Sequence, residues 1–170
     1  MLKGDNMHLQ VDDLYKLQDE LDQRIFDLHD TTRAKTKNER LLALLIELGE
    51  MINETKCFKF WSVKAPSTKD VILEEYGDGL HFLLSLGIDL NDQEASKTSN
   101  PLNELSLSEL ALNAYQSITT MITCFDLETF NQAFITFLCL GDKLGYTSDD
   151  IRLYYFKKNQ INHQRQDTNY

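Results

Sequence analysis

Proline is nearly missing from this chain: two residues in 170, with only seven glycines. So few breakers exclude a fold built from many tight turns and leave room for long uninterrupted helices. Cysteine is scarce as well. Cys57, Cys124 and Cys139 are odd in number and show no CxxC spacing, which argues against a disulfide framework and for buried free thiols in a reducing compartment. No apolar run approaches the ~18 residues a membrane span needs, and no basic-then-apolar leader opens the sequence. A soluble, cytoplasmic protein without a membrane partner is expected. Positive charge is in the minority: 17 Lys and Arg against 27 Asp and Glu give a formal net charge of −10. That balance excludes broad contact with a nucleic-acid backbone. A small anionic ligand held by a few local cations and a metal ion stays open.

What is present is a helical pattern. With 42% hydrophobic residues, the chain can bury the core of one domain, residues 1–170. Residues 1–8 read as a loose tail. From Leu9 to about Asp30, Val11, Leu14, Leu17, Leu21, Ile25 and Leu28 recur at helical steps. Gln18 lies at the edge of that stripe; its amide offers both a donor and an acceptor, which suits a nucleobase edge. A second helix spans about Asn38 to Cys57, and a third spans about Asp70 to Leu86, with Gly87 as its stop. Between them, Phe58–Lys69 reads as a loop, with Lys56, Lys59 and Lys64 clustered around Trp61. Residues 89–103 look like an exposed excursion. Helices are expected again over Ser106–Cys124, opened by a Ser106–Glu109 capping box, over Leu127–Leu144, ended by Gly145, and from the TSDD of 147–150 to about Gln166. Phe130, Phe134 and Phe137 share one side of the fifth, as core or as an interface. No strand-like alternation is sustained. The expected fold is an all-α bundle of about six helices.

The chemistry concentrates on the second and third helices. Glu47 and Glu50 are three apart, as are Glu75 and Asp78, so each pair shares a helix face. Packing the two apolar stripes against each other would bring four carboxylates to one seam, where mutual repulsion and desolvation call for a divalent cation. All-oxygen ligands favour Mg²⁺, with Mn²⁺ as a substitute, and Mg²⁺ in such sites shares its coordination with substrate phosphates. A di-iron centre is disfavoured: it needs Glu-x-x-His on two helices, and only Asp78 is followed at that spacing by a histidine, His81. On the last helix, Lys158, Asn162 and Arg165 form a stripe of about 10 Å, comparable to an extended triphosphate.

The segments ELGEMINETKCFKFWS, EEYGDGLHF and the closing YYFKKNQINHQRQDTNY resemble the dimeric all-α dUTPases. These belong to the MazG-like NTP pyrophosphatase superfamily found in phages and some bacteria. The resemblance covers the first helix, the central pair and the last helix, leaving 89–147 as the more divergent region. It implies a homodimeric, Mg²⁺-dependent dUTP diphosphatase, placed in the host cytoplasm if phage-encoded. Glu47, Glu50, Glu75 and Asp78 would be the catalytic metal ligands. Gln18 would read the uracil edge with Trp61 helping to form its pocket, and Lys158, Asn162 and Arg165 would bind phosphates with Tyr170 closing over them. Lys59 and His81 would contact phosphate and deoxyribose. Three features depart from the family pattern: Lys56 stands where arginine is usual, Gly77 where a larger aliphatic is common, and Asp167–Asn169 where a more glycine-containing ending is found.

The reaction implied is attack of a metal-activated water on the phosphate chain, giving dUMP and pyrophosphate from dUTP, with dUDP as a second substrate. Two alternatives come from other classes: a nucleotide pyrophosphatase of different base specificity, and a non-catalytic helical interaction protein. Some phage members of the family bind a repressor protein, which makes such a partner a further expectation.

Overall fold

The computed structural model describes residues 6–100 and 104–168. Among them are six helices: α1 (Asp12–Leu28), α2 (Lys37–Thr55), α3 (Lys69–Asp89), α4 (Leu107–Thr123), α5 (Leu127–Leu144) and α6 (Ser148–Asp167). The all-α bundle expected from the sequence is the fold found. None of these helices is long and apolar enough to cross a membrane.

Local signals set most boundaries. At the start of α4 the Ser106 side chain accepts from the Glu109 N–H while the Glu109 carboxylate accepts from the Ser106 N–H, closing the capping box. Asp126 and Thr147 open α5 and α6 in the same way. α5 ends at Gly145, whose φ of +76° is the left-handed cap that favours glycine. Gly87, expected to stop α3, does not; the helix continues to Asp89. A Cβ at Gly87 would lie 2.6 Å from the Tyr15 hydroxyl and 2.7 Å from the Phe130 ring, so the glycine serves close packing.

Two strands were not expected. β1 (His8–Gln10) pairs antiparallel with β2 (Ser96–Thr98), Leu9 standing opposite Lys97. At three residues each, neither is long enough to show a period of two. This ribbon corrects two expectations. Met7 and His8 do not belong to a loose tail: Met7 is buried, its N–H donating to Ser99 Oγ. The 89–103 segment is not simply an exposed excursion either. Lys97 is only 2% exposed, pairs with Asp92 at 2.7 Å and Glu94 at 2.9 Å, and lies over the rings of Phe130 and Phe134.

α2 and α3 run antiparallel. Arg40 near the start of α2 pairs with Asp89 at the end of α3, and Glu54 near the end of α2 bonds Ser67 just before α3. The α4–α5 hairpin packs behind them, α6 lies across α1 and α3, and Phe130, Phe134 and Phe137 are fully buried in the core.

On α1 the buried positions are Leu14, Gln18, Leu21, Asp22 and Phe26, while Leu28 is exposed. The packed face is rotated from the Leu17–Ile25–Leu28 line. It admits two polar residues because both are hydrogen-bonded.

Candidate active site

The antiparallel seam puts Glu47 of α2 opposite Glu75 and Asp78 of α3, and each offers one carboxylate oxygen within 4.8 Å of the others. Two glycines make this approach close. A Cβ at Gly79 would stand 3.0 Å from the Phe137 ring and 3.8 Å from Glu47 Cβ, and one at Gly77 would meet the Tyr154 ring at 2.5 Å. Gly77, a departure from the family pattern in the sequence, is what admits Tyr154 beside the acidic turn.

The charges feel one another. Burial first, then Asp78, Glu50 and Glu75, push the Glu47 carboxyl up to about 7, with Lys158 opposing. Burial also raises Glu75, helped by Glu50 and Asp78, and raises Asp78 against the pull of Lys158. Glu50 is exposed and stands outside the three-oxygen group, close enough to act on Glu47 and Glu75 through its charge.

Lys158 comes up from α6 into this group. It is 5% exposed, donates to Asp78 at 2.7 Å and lies 3.4 Å from Glu74. Arg165 also lowers the Asp78 pKa, and its guanidinium donates to Asn162 at 3.4 Å, so of the stripe read from spacing Lys158 and Arg165 act on Asp78. Tyr154, four residues before Lys158, begins the same stripe; its hydroxyl is pushed up by burial and by Glu74, Asp78 and Glu75. Its spacing to Lys158 was the signal available for it in the sequence.

A second polar group adjoins the first through α3. Gln18 is 3% exposed, and both the oxygen and the nitrogen of its amide are hydrogen-bonded. Oε1 lies 2.7 Å from His81 Nδ1 and accepts from the Tyr155 hydroxyl at 2.9 Å, while Nε2 donates to Asp22 at 2.7 Å. His81 stacks on Tyr155 with ring centroids 4.3 Å apart. Its Nε2 is the only buried side-chain nitrogen or oxygen among the described residues without a hydrogen-bond partner. Asp22, Tyr155, Arg33 and Arg40 escaped the sequence reading, although Gln18 and Asp22 are spaced four apart on α1.

The 56–68 connection stands apart from both groups. It leaves α2 at Lys56, whose φ is +57°. Trp61 is 66% exposed and packs edge-on against Phe58 and Phe60; Lys59 donates to Asn53 at 2.7 Å. Among the described residues neither hydrogen-bonds nor ion-pairs with Glu47, Glu75 or Asp78. Tyr170 lies outside the described residues.

An all-α bundle with carboxylates from two helices gathered against a lysine from a third is an arrangement suited to the hydrolysis of phosphoanhydrides. The family comparison makes this specific: the family model described as dUTPase matches residues 10–170, and the chain belongs to that family. It is a dUTP diphosphatase, with dUTP as substrate, and the family is generally metal-dependent. No curated protein matches the chain at a significant level.

Proposed function

We propose that the enzyme hydrolyses dUTP, and dUDP with it, using Mg²⁺ held by Glu47, Glu75 and Asp78, with Glu50 joining them. The observation that carries this is the convergence of three carboxylate oxygens within 4.8 Å, with Glu47 driven up to about 7. Such an excess of negative charge fits a hard divalent cation. When bound, the cation neutralises phosphate charge and activates the attacking water. Lys158 and Arg165 supply positive charge along the phosphate chain, Asn162 supplies an amide, and a carboxylate of the site takes the proton from the nucleophile. Lys158 now pairs with Asp78, so engaging a phosphate means exchanging one anion for another.

Gln18 and His81 form the polar wall of the nucleoside pocket, with Trp61 and Lys59 reaching it when the 56–68 connection folds over substrate. Homodimerisation belongs to the same proposal. Leu42 and Ile46, exposed on α2 at 59% and 49%, supply apolar surface outside the core.

The test is product analysis on a panel of dUTP, dUDP, dTTP and dCTP with Mg²⁺ and with EDTA. The proposal expects dUMP from dUTP and dUDP only, and only with metal. Equal rates on dCTP or dTTP would assign a different base specificity, and full activity in EDTA would remove the metal.

A further inference from the structure

The side-chain amide of Gln18 has two possible senses, differing by a half-turn that exchanges its oxygen and nitrogen. One neighbour decides between them. Asp22 stands one helical turn further along α1, and its Oδ1 is 2.7 Å from the amide nitrogen of Gln18. Its other oxygen already faces Arg33 at 2.9 Å and receives the Ser85 hydroxyl, so the carboxylate accepts at both oxygens and can only be met by a donor. The NH₂ of Gln18 must therefore point at Asp22, and its oxygen must point the other way.

The oxygen meets two groups, His81 Nδ1 at 2.7 Å and the Tyr155 hydroxyl at 2.9 Å. Both have to donate. For tyrosine the one hydroxyl proton is shared with the Leu14 carbonyl at 3.2 Å, the Gln18 oxygen being the nearer acceptor. For histidine, having to donate selects a tautomer: the proton sits on Nδ1, and Nε2 is left as a bare acceptor. Burial holds the imidazolium pKa down at about 3, so the ring carries one proton only. The bare Nε2 is the same atom that has no hydrogen-bond partner among the described residues.

Asp22 is fixed in turn. Arg33 donates to Asp22 and Asp19 and reaches Asp89 and the Ser85 carbonyl. Arg40 clamps Asp89 through both oxygens, at 3.0 Å and 2.7 Å, and also holds the Ser85 side chain. None of these residues touches the carboxylate group of Glu47, Glu75 and Asp78 in a hydrogen bond or ion pair among the described residues.

We infer that Asp22 is a positioning residue for nucleotide selection: by orienting the Gln18 amide it sets the His81 tautomer, so that Nε2 accepts a hydrogen bond from an O–H or N–H of the ligand. This rests on the proposal that Gln18 and His81 belong to the nucleoside pocket. dUTP carries two donors of that kind, the 3′-hydroxyl and the uracil N3–H. A ligand presenting a carbonyl or ether oxygen at that point meets lone pair against lone pair and is rejected.

The test reads the tautomer directly, by long-range ¹H–¹⁵N NMR of the histidine rings, assigned with His81→Gln. In the wild-type protein His81 should show a protonated Nδ1 and an unprotonated Nε2. A wild-type ring protonated at Nε2 overturns the inference without any variant. In Asp22→Asn, whose amide can meet Gln18 in either sense, the His81 signals should move toward the other tautomer. KM for dUTP should rise about tenfold, as expected for losing one charge-assisted hydrogen bond. Unchanged His81 signals and unchanged KM in Asp22→Asn also overturn it. Failure of the pocket assignment looks different: Gln18→Ala and His81→Gln would then keep wild-type KM whatever tautomer the spectrum shows.

Discussion

At the scale of single residues the informative positions are those that break a local rule. Glu47 is a carboxylic acid held near neutrality, at about 7 against 4.5 for the free group, by burial and by three acidic neighbours. The folded state binds this proton more tightly than the unfolded chain does. The Glu47 contribution is therefore present below about 4.5 and lost as pH rises through 7. Glu47→Gln removes that titration. In metal-free buffer its melting temperature should gain on wild type as pH rises from 4.5 to 7, while dUTP turnover falls by at least about a thousandfold. A constant difference across that window would mean that burial and its neighbours do not raise the Glu47 carboxyl. Gly77 breaks a helix rule in the same way. Alanine there should gain up to about 1 kcal/mol of helix propensity, but its Cβ would stand 2.5 Å from the Tyr154 ring. Overpacking of that kind costs about 1–3 kcal/mol, so Gly77→Ala should lower stability to chemical denaturation in the wild-type background and raise it in Tyr154→Ala. Destabilisation in both backgrounds would place the cause elsewhere.

Among the elements, those with a regular signal were legible and those without were not. The capping residues of α4 and the glycine ending α5 carry their chemistry in the chain itself. The acidic pairs and the cation stripe of α6 were readable because helical spacing alone puts such residues on one face. The polar face of α1 was harder: apolar periodicity cannot show that Gln18 and Asp22 go inward, since their burial depends on partners from α3, α6 and the α1–α2 connection. The β1–β2 ribbon was hidden for a related reason. Its strands join residues about ninety positions apart, and β2 is fastened to the chain just before it by an ion pair, Lys97 with Asp92, both almost fully enclosed. Lys97→Ala strips the partner from a buried carboxylate and should cost about 3–5 kcal/mol in equilibrium unfolding. The Tyr15 hydroxyl also donates to Asp92, and a loss below about 1 kcal/mol would show that it and solvent satisfy the carboxylate without Lys97.

Across the molecule, two helices outside the acidic pair support the site from behind. Phe137 of α5 closes on Gly79 from the core side, and Tyr154 of α6 closes on Gly77. The α3 turn carrying Glu75 and Asp78 is thus held between aromatic rings from two other helices. That arrangement lets three acids sit together in a chain whose net charge is already −10. Lys158 pairs with one of the three acids and Glu47 is raised to about 7, and a bound cation would relieve the remaining repulsion. Mn²⁺ binding read by loss of the free-ion EPR signal tests this most directly, in the presence of a non-hydrolysable dUTP analogue. Wild-type protein should bind Mn²⁺ and release it to competing Mg²⁺, while Glu47→Gln and Asp78→Asn, folded by circular dichroism, should bind at least about tenfold more weakly. Equal Mn²⁺ binding by wild type and both variants would contradict the assignment of the cation to these carboxylates.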